Sequence, residues 1–140
     1  MKTLKTLTAA VLLMVSISSF AAGEPGNEKM NMNYALNTYI QAIANGKVNG
    51  FSEVLDRDVK FTVTGGKKVI NYNKSEMVTF AKRNENMQQN CTTEYKIVEL
   101  NDAQALVKVT MKYPDFTKVN LVSMANTSEG WKITNVTSSF

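Results

Sequence analysis

From Cys91 to Phe140 apolar and polar residues alternate in four runs, broken at Asn101-Asp102, Pro114-Asp115 and Ser128-Glu129-Gly130. Strict alternation sends successive side chains to opposite faces, so each run predicts a strand with one dry and one wet side. The clearest run puts Val107, Val109, Met111 and Tyr113 on one face and Lys108, Thr110 and Lys112 on the other. Upstream the period becomes helical. Met32, Leu36, Tyr39, Ile40 and Ile43 recur at i, i+3, i+4 spacing over residues 30–44, stopped by Asn45-Gly46. Phe51, Val54 and Leu55 predict a short second helix over 48–55. Val59, Phe61 and Val63 then alternate with Lys60, Thr62 and Thr64. Gly65-Gly66 suits a tight hairpin, and residues 67–72 return as a second short strand. Asn73 or Ser75 offers an N-cap to a third helix over 75–87, with Met77, Val78, Phe80 and Ala81 as its apolar side. The predicted order is α-α-β-β-α-β-β-β-β, an α+β domain whose curved sheet the helices can cover, leaving a pocket.

The N-terminus follows a different logic. Lys2 and Lys5, an apolar stretch from Leu7 to Ile17, and Ser19-Phe20-Ala21 form the basic, apolar and small-residue sections of a secretory signal peptide. Its apolar stretch falls short of the roughly 20 residues that span a bilayer. The expectation is a bacterial export leader over 1–21 cut after Ala21 or Ala22, a flexible lead-in over 22–31 and one domain over 32–140. The product is then periplasmic or extracellular, with no stable membrane insertion. A mature chain of roughly 119 residues is enough for one modest core.

Charge narrows the partners. The chain carries a formal +4, and loss of Lys2 and Lys5 takes it to about +2. The lysines are scattered and the arginines are Arg57 and Arg83 alone, which is not a nucleic-acid signature. The single cysteine, Cys91, excludes an internal disulfide, so packing must hold the fold. With no histidine and one cysteine, zinc and copper lack ligands, and Asp56-Arg57-Asp58 is too short for a calcium loop.

General acid–base catalysis would need a carboxylate of raised pKa in place of histidine. Glu53, Asp56 and Asp58 surround a helix end and its turn, and Glu76 suits a helix first turn. Period two puts Glu99 with Cys91, Tyr95 and Ile97, and Glu94 with Thr92, Lys96 and Val98. The aromatic and methionine residues suit a mostly apolar small-molecule pocket better than they suit catalysis.

The element order, the Tyr39-to-Gly46 segment, the Leu55-Asp56-Arg57-Asp58-Val59 turn and the closing Gly130-Trp131-Lys132-Ile133 resemble the nuclear transport factor 2-like (NTF2-like) superfamily. Within it the chain is similar to small exported bacterial proteins with lumazine-binding-like or SnoaL-like domains. The resemblance covers about Met32 to Phe140. It implies a cone-shaped fold in which a strongly bent antiparallel sheet wraps a long helix around an apolar cavity.

Enzymes of the superfamily pair a cavity Asp, Glu or His with a tyrosine or an acid donor. Tyr39 falls at their helix tyrosine, but their base position falls near Val63 and Thr64, and the strand Leu121-Val122-Ser123-Met124-Ala125 carries no acid. Asn120 stands where similar relatives often have Asp. The implied function is binding of a small apolar or aromatic ligand without catalysis or cofactor, through Tyr39, Phe61, Phe80, Met111, Tyr113, Asn120, Met124 and Trp131. The alternatives are an isomerase- or dehydratase-type enzyme with Tyr39 as donor, and an interaction module using the outer sheet face. Tyr39 is expected to face inward, its hydroxyl bonded to a backbone carbonyl, Asn120, water or ligand. A homodimer is expected through the outer sheet face, with Val98, Leu106, Val122 and Val136 as outward residues.

Overall fold

The computed structural model describes residues 31–140; the expected leader over 1–21 and the lead-in as far as residue 30 lie outside the described residues. Helix α1 spans Met32–Asn45 and starts where the Asn31 side chain accepts a bond from the Asn33 N–H at 2.8 Å. Of the residues whose spacing predicts its buried stripe, Met32, Leu36 and Tyr39 are buried and Ile40 and Ile43 half-buried, and Ala35 and Ala42 are buried beside them. It stops at Gly46, whose φ of 66° lies in the left-handed region that glycine adopts freely. A single turn, α2 (Phe51–Val54), leads into β1 (Leu55–Gly65). The polar run Asp56-Arg57-Asp58, read as a turn, is instead the irregular start of β1: Leu55 pairs with Ile133, and regular pairing resumes at Lys60.

Gly66, at φ 58°, begins the hairpin turn to β2 (Lys68–Tyr72). Helix α3 (Lys74–Arg83) opens on a capping box: Asn73 Oδ1 accepts from the Glu76 N–H at 2.9 Å, and Glu76 Oε2 accepts from the Asn73 N–H at 2.8 Å. It ends at Arg83, short of the expected 87. There the Asn84 amide side chain donates to the Phe80 carbonyl, and Asn86 turns the chain at φ 65°. The strap that follows lies across the end of α1: the Asn86 N–H donates to Gly46 O at 2.9 Å and the Gln89 N–H to Ala44 O at 2.7 Å. Carbonyls that a helix C-terminus leaves without partners are thus satisfied.

The remaining strands are β3 (Thr92–Leu100), β4 (Gln104–Lys112), β5 (Thr117–Thr127) and β6 (Gly130–Ser139). They complete a curved six-stranded sheet in the order β2-β1-β6-β5-β4-β3, antiparallel except where β1 meets β6 in parallel. Bulges bend it and reassign faces. On β6 the register steps from Ser123↔Asn135 to Met124↔Ile133, so Thr134 is an extra residue and both Ile133 and Val136 point inward. Val136 is therefore 1% exposed, and Val122, which pairs with Val136 and Val107, is 0% exposed. The expectation that these two valines face outward is corrected. Val98 is the extra residue on β3, where Ile97 pairs with Val107 and Glu99 with Leu106. That step moves Glu99 to the opposite face from Tyr95 and Ile97, correcting the shared face that simple alternation gave. Leu36, Tyr39, Phe51 and Phe61 pack against Val107, Val109, Val122 and Met124 in one closed core.

Candidate functional site

Free space lies beside the core. Between α3 and the inner face of the sheet runs a cleft of about 530 Å³, lined by Val63, Tyr72, Met77, Phe80, Arg83 and Lys118 among others. Behind it is a smaller chamber of about 150 Å³, bounded by Ala42, Ile43, Ala81, Met87, Gln89, Met111 and Tyr113. The two share Met77, Phe80 and Lys118, so they adjoin. Two other surface hollows are lined mainly by charged, hydroxyl and amide side chains, around Asp56 to Asp58 and around Asn37 to Asn49. The apolar, aromatic lining of the first pair matches what small-molecule sites require.

Lys118 reaches this space because β5 alternates. It pairs with Met111, two positions before the buried Asn120 and four before Val122, so it shares their inward face. Its ammonium lies 5.6 Å from the centroid of the Phe140 ring. Burial holds its pKa below the usual lysine range, opposed by the neighbouring Cys91. Tyr113 stacks on Phe116 with centroids 4.4 Å apart, and its hydroxyl donates to Gln89 Oε1 at 3.2 Å. Its pKa is raised by burial first and by Cys91 second.

Of the candidate ligand residues, Phe80, Met111 and Tyr113 come together at the chamber. Tyr39, Phe61 and Met124 sit in the closed core, and Trp131 packs against that core from the end of β6 next to the β5–β6 turn. Tyr39 is 2% exposed, its ring centroid 6.4 Å from that of Phe51, and burial pushes its pKa upward. Asn120, 0% exposed, accepts a bond from the Ser138 hydroxyl at 2.5 Å and turns its amide nitrogen to the Met111 sulfur at 3.5 Å. It is a polar strut within the core rather than a lining group of the cleft.

Met77 lines both cavities from the apolar side that the sequence predicts for α3, whereas Lys118, Arg83 and Gln89 are lining residues outside the candidate ligand set. Lys118 was accessible to sequence reading, because placing Asn120 inward places Lys118 inward as well.

Among the described residues no Asp or Glu is buried. Glu94 is exposed and paired with Lys112 at 2.8 Å, which lowers its pKa. Glu76 lines the cleft, but its carboxylate is engaged in the capping box. No cluster among the described residues has the acids, cysteines or histidines to hold a metal ion. No described helix is long and apolar enough to cross a membrane.

The fold has solved counterparts. An NTF2-like protein of unknown function from Silicibacter pomeroyi superposes with a TM-score of 0.64 at 8% identity, covering 76% of this chain and 90% of its own. One from Methylobacillus flagellatus gives 0.57 at 15% identity, with 76% and 86% covered. A cystatin-like fold protein from Burkholderia xenovorans gives 0.59 at 13% identity, with 81% and 92% covered. At such identities the likeness concerns the fold. No curated protein matches the chain. Residues 27–138 match the family described as "Putative lumazine-binding". With the bent sheet, the covering helices and these structural counterparts, that match places the chain in the lumazine-binding-like family of the NTF2-like superfamily.

Proposed function

We propose that the protein binds a small apolar or aromatic molecule in the cleft and chamber between α3 and the sheet, without turnover. The observation that carries this reading is the pair of adjoining cavities sharing Met77, Phe80 and Lys118, of about 530 and 150 Å³. Small-molecule sites of roughly 300–1,000 Å³ have this mix of apolar walls and few polar groups. The family's description, lumazine-binding, names a fused aromatic heterocycle and fits a slot between methionines and rings. Binding rather than catalysis is favoured because the buried polar residues among those described are Asn120 and Ser138, neither of them a carboxylate.

The neutral fluorescent probe N-phenyl-1-naphthylamine tests the site. Ala81 is a half-buried wall of the chamber, so Ala81→Phe places a ring inside it. The parent protein is expected to brighten the probe, and Ala81→Phe to weaken its binding by about tenfold, a loss of about 1.4 kcal/mol, with the melting temperature little changed. Undiminished binding in that variant would locate the probe elsewhere and refute the assignment.

Export through the leader over 1–21, to the periplasm or beyond the cell, belongs to the same proposal, as does pairing with a second copy through the outer sheet face. On that face Leu121, between Lys108 and Thr137, is 39% exposed. Native mass spectrometry of the exported fraction is expected to give a dimer of chains beginning at Ala22 or Gly23. Chains that retain Met1 refute export by cleavage, and a monomer at micromolar concentration refutes pairing.

A further inference from the structure

We propose that Lys118 is the anion-recognising group of this cleft and that the ligand is a small aromatic carboxylic acid, its ring between Met77, Phe80 and Met111 and its carboxylate on the Lys118 ammonium. The inference rests on the binding reading above and gives the ligand a charge. A lysine at an inward-facing strand position is costly, because its ammonium gives up water for apolar neighbours. Among the described residues the ion pairs are Arg57 with Asp58 and Lys112 with Glu94, so Lys118 has no carboxylate within pairing distance there. Glu76, the acid that lines the same cleft, holds the Asn73 N–H at 2.8 Å.

A second cation, Arg83, lines the larger cavity, so the cleft presents two positive groups with its one carboxylate already committed. The Phe140 ring at 5.6 Å offsets part of the cost of the Lys118 charge but supplies no counter-charge. Tyr113 lines the same chamber as Lys118, but its hydroxyl is given to Gln89 Oε1 at 3.2 Å. A carboxylate entering with an aromatic body would supply the counter-charge through a charge-assisted hydrogen bond in a half-dry site, where such bonds are strongest.

The test compares 2-naphthoate with its neutral counterpart 2-naphthalenemethanol, by calorimetry on the parent, Lys118→Met and Lys118→Arg. The parent is expected to prefer the acid. Lys118→Met should weaken naphthoate by about 10- to 100-fold, the range for hydrogen bonds to charged groups, and leave the alcohol within about twofold. Lys118→Arg should restore most of the acid's affinity. The free Lys118→Met protein should melt at or above the parent temperature, because a half-buried charge has been removed, whereas a merely structural lysine would lower it. Equal affinity for acid and alcohol in the parent, or equal loss of both in Lys118→Met, overturns the assignment of Lys118 while leaving the pocket intact. Octanoate separates the ring from the chain: binding tighter than naphthoate would overturn the aromatic class. Failure of the neutral probe and of Ala81→Phe would instead remove the pocket itself.

Discussion

Asn120→Asp is expected to destabilise the protein severely at neutral pH and to be nearly silent in acid. The asparagine is 0% exposed, its oxygen held by Ser138 at 2.5 Å and its nitrogen turned to the Met111 sulfur at 3.5 Å. A carboxylate in its place keeps the shape but removes the donor facing sulfur and puts a charge among Val109, Val122 and Met111. An uncompensated buried charge costs about 3–5 kcal/mol, a large share of the roughly 5–15 kcal/mol that holds a domain of this size. The sign follows from linkage. Burial raises the carboxyl's folded pKa above its unfolded value near 3.9, so between those values the folded chain binds the extra proton. Stability relative to the parent is therefore greatest below about pH 3.9, declines as pH rises, and levels off only above the folded pKa. Urea unfolding of both proteins from pH 3.5 to 8 measures the difference. A constant gap across that range would mean that Asn120 is not in the apolar setting described.

Gly46→Ala should cost about 2–5 kcal/mol, from left-handed strain together with a backbone collision. At φ 66° an added Cβ would stand 2.6 Å from the Met87 nitrogen, 2.7 Å from the Asn86 nitrogen and 2.9 Å from the Asn84 carbonyl oxygen. Backbone cannot swing aside as a side chain can, so the strap over the end of α1 must lift. Met87 and Gln89, which it carries, bound the inner chamber, so binding of N-phenyl-1-naphthylamine should fall with stability. Gly66→Ala is the control. It shares a positive φ of 58° but meets nothing within 4 Å, so it should cost only about 1 kcal/mol. Thermal melts of the two variants decide the matter, and equal losses would show that the collision at Gly46 contributes nothing.

The fold was legible because its signals are local. The stripe from Met32 to Ile43 and the alternation from Val107 to Tyr113 each select one period of secondary structure, and the element order follows. What alternation could not reveal was where it breaks. Thr134 and Val98 are extra residues whose presence depends on the partner strand, so the faces of Val136 and Glu99 came out inverted. Val122 was a different case, since an inward Asn120 already required it to face inward. The cleft was legible through Phe80, Met111 and Tyr113, and Lys118 was legible too by the same two-residue step from an inward Asn120, although its charge taken alone reads as a solvated face. Tyr39, Phe61 and Met124 illustrate the converse: composition marks a residue as apolar and large without distinguishing a cavity wall from the core behind it.

The placing of β6 between β1 and β5 has a consequence for how the molecule is made. Ribosomal synthesis is vectorial, yet β6, which emerges after the other five described strands, occupies a central slot in the sheet and joins β1 to β5. Until Gly130–Ser139 is available, the chain can form only a β1–β2 hairpin and a separate β3–β5 meander. A lone hairpin is marginal in water. Sheet closure across this sequence separation is slow because loop entropy is lost before contacts form. The β1–β2 and β3–β5 parts therefore become one sheet only when Gly130–Ser139 takes its place between them, so the fold is decided late and all at once.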